Sequence, residues 1–200
     1  MVETLPAPVF LAGQSWLDFV NTAYLDRGQP VELLPDVEHL IDWLVAAGLL
    51  DRAEAARARA GRHGAALLDE ALEVRRTLRE LAEWLIDGHR TVPVRARTTI
   101  NRVLAARSGY PQVVGERRLE QRVVTTITQP IGILAGVAQS AADLLTHGDY
   151  GLVKQCVGPT CVTVFYDTTK NHARRFCSAA VCGNRFKAAA RYRRLKGERD

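Results

Sequence analysis

No apolar run in this 200-residue chain is long enough to span a bilayer; the most lipid-like stretch, Ile131 to Leu145, is broken by Gln139, Ser140 and Asp143. The opening Met-Val-Glu-Thr-Leu-Pro-Ala-Pro lacks the positive start and apolar stretch of a secretory leader, so a cytoplasmic protein without membrane partners is expected. Catalytic signatures are missing as well: there is no G-x-S-x-G, no G-x-x-x-x-G-K-S/T and no H-E-x-x-H, and the histidines at 39, 63, 89, 147 and 172 are scattered. No enzyme is expected. Internal repeats and low-complexity linkers are absent, so the C-terminal segment should pack directly on the rest. Aromatics make up only 6% of the chain, and Phe165, Tyr166 and Tyr192 are too sparse to build a stacking platform for single strands. Cysteine does not occur before position 156.

What is present describes an ordinary globular chain, with 47% apolar and 24% charged residues and enough length to bury a core. The charge is unevenly placed. Residues 151–200 carry eleven Lys or Arg against three acids, a net +8, while the first 150 residues carry −3. Such asymmetry predicts a polyanion-binding tail on a near-neutral body and divides the chain at 1–150 and 151–200.

Ser15 and Asp18 resemble a variant capping box opening a helix through about Tyr24, and Gly28, Pro30 and Pro35 predict a loop after it. A second helix is expected from Asp36 to Gly48, and Asp51 with Glu54 marks a third start. The longest periodic signal, Leu67, Ala71, Val74, Leu78, Leu81 and Leu85, predicts an amphipathic core helix ended by Gly88. Pro93 suits the first turn of the next helix. β-Branched residues between Tyr110 and Thr128, with a turn near Gly115, predict a hairpin, and Pro130 precedes a last helix of the body stopped by Gly148. The expected fold is mainly α (α+β): a helical N-terminal domain with a small β-hairpin, then a small treble-clef-like four-cysteine zinc module ending in a basic helix.

All four cysteines fall within 27 residues, as Cys156-x4-Cys161, fifteen residues, then Cys177-x4-Cys182. Two close pairs across a spacer are what a tetrahedral thiolate site needs, since each pair turns tightly to offer two sulfurs. Two disulfides or four free thiols are the alternatives; a cytosolic setting disfavours the first and the spacing the second. One structural Zn2+ per chain is therefore expected, because four thiolates leave no open position for catalysis. Gly158 and Pro159 suit the first turn, Val162 to Tyr166 reads as a strand with a hairpin-like return after it, and the second pair opens a helix whose N-terminus favours thiolates at Cys177 and Cys182. His172 is expected to stay exposed.

Beyond Cys182 the helix carries Lys187, Arg191 and Arg194 on one face, with Phe186, Ala189 and Ala190 turned inward. Arg174, Arg175, Arg193 and Lys196 extend the cationic surface, and Asn184 or Arg185 would read base edges in a major groove. Double-stranded DNA is the expected partner. The competing reading is a solvated helix whose arginines pair with the acidic body.

The string Arg174-Arg-Phe-Cys-Ser-Ala-Ala-Val-Cys182-Gly-Asn-Arg-Phe-Lys187, preceded by Phe165-Tyr-Asp-Thr-Thr, resembles the CGNR zinc finger, and Leu17-Asp-Phe-Val-Asn-Thr22 resembles the start of the ABATE domain that precedes that finger in bacterial proteins. Phe176 and Ala179 stand where the finger often has Trp and Met, departures that leave the ligands untouched. The resemblance implies a transcription regulator, described for the family as stress-induced, with the four cysteines on zinc. A regulator needs an input, and Trp16, Asp18, Asn21 and Thr22 are the candidate lining of a small-molecule pocket, against a plain reading as a capped helix with core aromatics. A finger that docks protein or RNA, and a thiol switch that ejects zinc on oxidation, are the alternative functions. One finger contacts few base pairs, so a homodimer is expected.

Overall fold

The computed structural model describes residues 8–26, 28–61 and 64–197; the side chains at 190 and 193–197 lie outside the described set. The body begins with helix α1 (Ser15–Val20), a hairpin of β1 (Ala23–Asp26) and β2 (Gln29–Glu32), and helices α2 (Val37–Ala46), α3 (Arg52–Ala60), α4 (Gly64–Ile86) and α5 (Val94–Ala105). A second hairpin, β3 (Arg107–Val114) with β4 (Glu120–Ile127), leads through a 3-10 turn (Pro130–Leu134) into α6 (Ala135–His147). The chain then passes through β5 (Val153–Gln155), β6 (Val164–Tyr166) and a π turn (Ala179–Gly183) into α7 (Asn184–Gly197).

Several starts follow directly from capping chemistry. Asp36 accepts the His39 N–H at 2.9 Å to open α2, and Asp51 with Glu54 forms a reciprocal capping box on α3. On α4 the stripe from Leu67 to Leu85 is buried throughout, and the chain leaves the helix through Gly88 at φ +88°.

The chain's beginning departs from the sequence expectation. Gln14, not Ser15, precedes α1 and makes no side-chain cap; Asp18 instead accepts the Ala12 N–H at 2.9 Å. The helix stops at Val20, and the segment expected as a loop supplies β2, paired in the register Tyr24↔Val31. Gly28 takes φ +84° in the turn, a conformation that side chains with a Cβ resist. The second hairpin occurs where expected, and a Cβ on Gly115, at φ +103° in its turn, would lie 2.2 Å from the Arg118 carbonyl oxygen.

One apolar cluster runs through the whole protein. Trp16, Phe19, Leu40, Leu44, Leu78 and Leu81 belong to it, and so do Val153, Val164 and Phe165 from the C-terminal segment. The tail therefore packs directly on the body, as the missing linker implied. Among the described residues no helix is long and apolar enough to cross a membrane.

Candidate metal centre and basic helix

β5 and β6 form an antiparallel pair in the register Val153↔Tyr166, and the loop joining them carries Cys156 and Cys161. The strand expected over 162–166 is thus present as β6, but its partner precedes Cys156 instead of following Tyr166. Asp167 explains why. Its fully buried carboxylate accepts from the Thr169 amide and hydroxyl, the Arg174 amide at 2.9 Å and the Lys154 ammonium at 2.7 Å, so the chain turns sharply out of the strand. Burial alone would raise the pKa of Asp167, yet these donors hold it well below the ordinary carboxylate range.

The first cysteine pair is shaped by a tight turn in which the Cys161 N–H donates to the Gly158 carbonyl at 3.0 Å. A Cβ on Gly158 would sit 3.2 Å from the Cys161 Cβ and 3.5 Å from the Cys156 sulfur, so the knuckle closes around a residue without one. Ser178 opens the second half by accepting the Val181 N–H, and the π turn carries Cys182 toward Cys177.

The four Sγ atoms lie within 4.8 Å of one another, with Cys161–Cys177 at 3.7 Å and Cys177–Cys182 at 3.5 Å. A disulfide needs about 2.05 Å, so these are free thiols. Sulfurs about 2.3 Å from a tetrahedral zinc stand about 3.8 Å apart, which matches the separations found. Hydrogen bonding from Cys177 draws the Cys161 thiol down to about 4, while burial pushes Cys182 up to about 11. Cys177 is raised by its bond to Cys161 and by burial. Thiolates so close repel one another, and a divalent cation is what permits all four to ionise. The lowered thiol is thus Cys161 and not Cys177 or Cys182, at which the helix start was expected to favour thiolates. His172 is exposed, stands outside the sulfur cluster and takes φ +49°.

The basic residues divide into two groups. Arg174 bonds inward: its guanidinium donates to the carbonyls of Phe176, Cys177 and Leu11 and lies 4.3 Å above the Phe165 ring. It therefore braces the second cysteine pair and is not free for a partner. Arg185 reaches Asp26 of β1 at 3.3 Å, one instance of the competing pairing with the acidic body. Arg175, Asn184, Lys187 and Arg191 are exposed. Phe186 is half-buried against Phe176, with ring centroids 5.4 Å apart, whereas Ala189 is exposed. Arg193, Arg194 and Lys196 have side chains outside the described residues.

Trp16, Asp18, Asn21 and Thr22 line neither the cleft of about 610 Å³ beside α3 nor that of about 340 Å³ between α4 and α5. Trp16 is a core side chain whose indole N–H has no partner among the described residues. Asp18 ties down Ala12, and burial raises its pKa despite the Ala12 and Leu11 amides and Arg174. Thr22 donates to the Phe19 carbonyl and accepts from Arg75. Asn21 has the role that sequence reasoning missed. Its amide donates to the Val164 carbonyl at 2.8 Å and accepts the Val164 N–H at 3.0 Å, serving as a one-residue strand beside β6. Arg79 of α4 adds a bond to the Val162 carbonyl at 2.9 Å. These residues form the seam between body and cysteine module.

Residues 13–148 match the ABATE family, described as "Putative stress-induced transcription regulator", and residues 153–195 match the CGNR zinc finger. Neither description is of an enzyme. None of the curated proteins compared with the chain matches it. With two thirds of its length matched by the first family and its four clustered cysteines by the second, the chain belongs to the ABATE family and carries a CGNR zinc finger.

Proposed function

We propose that this protein is a zinc-dependent, DNA-binding transcription regulator in which Cys156, Cys161, Cys177 and Cys182 hold one structural Zn2+. When bound, the metal supplies a cross-link between knuckle and helix start, with no catalytic role. The carrying observation is the union of this cluster with α7: Cys182 lies in the turn that leads straight into a helix exposing Asn184, Lys187 and Arg191. Metal binding thereby fixes the start of a helix that presents cationic side chains to solvent. Phosphate neutralisation supplies affinity, and Asn184, with Arg185 once released from Asp26, supplies contacts to base edges. Two copies give the half-site spacing that specificity requires, and the body serves as the input domain.

Selection of the zinc-loaded full-length chain against a random duplex pool at low and near-physiological salt, beside a chelated sample, tests the reading. Enrichment of one sequence that disappears on chelation is the expected result. Binding that collapses with salt and enriches nothing overturns it, and a preference for RNA or a protein partner would replace it.

A second reading rests on the half-buried state of Cys161, Cys177 and Cys182, which leaves the sulfurs within reach of oxidants. Moderate peroxide then releases zinc and duplex together. Unchanged zinc content after treatment would exclude a redox input.

A further inference from the structure

The larger cleft, about 610 Å³, opens between α3, the start of α4 and the free edge of β4, on a part of the body that the zinc module does not line. Its volume falls within the range of small-molecule sites. Val37, Ala58, Leu67, Ile127 and Ile133 supply an apolar floor and walls. The polar groups are unevenly satisfied. Glu38 is held by Arg59 at 2.8 Å, and the buried Glu54 by Arg107 at 2.8 Å and the Asp51 amide. Arg57, exposed and also lining the cleft, has no carboxylate partner among the described residues, so its charge is available to a ligand. The first turn of the 23-residue helix α4 enters the same space at Gly64 and Leu67, bringing the positive end of its dipole.

We infer that this cleft binds a small amphipathic anion, an apolar acid whose single carboxylate or sulfonate meets Arg57 while its hydrocarbon body lies against Leu67, Ile127 and Ile133. An apolar acid gains both the exposed Arg57 charge and the apolar floor, whereas a neutral apolar molecule gains only the floor and a hydrophilic anion only the charge. The inference deepens the reading of the body as the input domain and rests on it, but binding is measured without DNA, so its failure and a failure of DNA binding are separate results.

The zinc-loaded full-length protein is titrated with 1-anilinonaphthalene-8-sulfonate and with its uncharged relative N-phenyl-1-naphthylamine, following dye fluorescence. Saturable one-to-one binding of the sulfonate is expected. Arg57→Gln should weaken the sulfonate about tenfold and change the neutral dye less than about twofold. Thr126→Trp, filling the cleft from an exposed strand position, should abolish both; Ala58→Phe serves the same purpose should the tryptophan variant not fold. No saturable binding by the parent protein, or binding that survives filling of the cleft, overturns the site. Equal loss of both dyes in Arg57→Gln, or loss of neither, overturns the anion assignment.

Discussion

In the body, α4 alone sets Leu67, Ala71, Val74, Leu78, Leu81 and Leu85 into the core, whereas the metal module adds Val153, Cys156, Val164 and Phe165 as its buried members, with Tyr166, Phe176 and the other cysteines only partly buried against them. What the module lacks in apolar surface it makes up with directional contacts. Asp167 collects four donors, Arg174 three carbonyls, and Asn21 and Arg79 hold the backbone of 162–164 from the body's side. Burial is non-directional and tolerates small shifts, but hydrogen bonds and metal ligands fix position within tenths of an ångström. One protein thus uses a packed helical body to carry a module whose geometry is set by polar bonds.

The comparison can be broken most forcefully at the metal. A bound structural zinc contributes about 10–16 kcal/mol of apparent binding energy, so chelation should abolish the helical signal of α7 while the body keeps its cooperative unfolding; circular dichroism with and without chelator reads both. Loss of the whole fold would show that the shared cluster makes one cooperative unit. Asp167→Asn is the next largest effect. It leaves Lys154 without its buried partner and should cost about 3 kcal/mol near pH 7 in denaturant unfolding. Because the folded carboxyl titrates below its unfolded value, the stabilisation is present above about pH 4 and fades as pH falls further, so the gap between parent and variant should narrow on acidification. In the body, Leu78→Ala should cost about 2–5 kcal/mol, yet zinc stoichiometry measured by thiol-competitive titration should not change. Arg191→Glu sharpens the contrast at the other extreme. Being exposed, it should move stability by less than about 0.5 kcal/mol while abolishing duplex binding in a mobility-shift assay.

Legibility followed the range of the interactions. The caps at Asp36 and Asp51, the α4 stripe and the hairpin turn at Gly115 all act within a few residues, and each was readable from spacing. The β1–β2 hairpin was not, because Pro30 and Pro35 mask a strand that exists only through pairing with Ala23–Asp26. The strand before Cys156 escaped for the same reason, since three residues carry no period of their own. Arg174 shows the limit most clearly: in sequence it is one more cation in a basic tail, and in the fold its guanidinium is committed to the carbonyls of Leu11, Phe176 and Cys177.

The sequence by itself determined the helical body, the four-cysteine spacing and the excess of positive charge at the C-terminal side, because local periodicity, ligand count and charge need no distant partner. Only the tertiary structure decided which of those charges are exposed, that Asn21 bonds β6 and lines neither cleft, and that the larger cleft lies between α3 and β4. Those outcomes depend on contacts between residues far apart in the chain, and no local pattern encodes which distant backbone a side chain will meet.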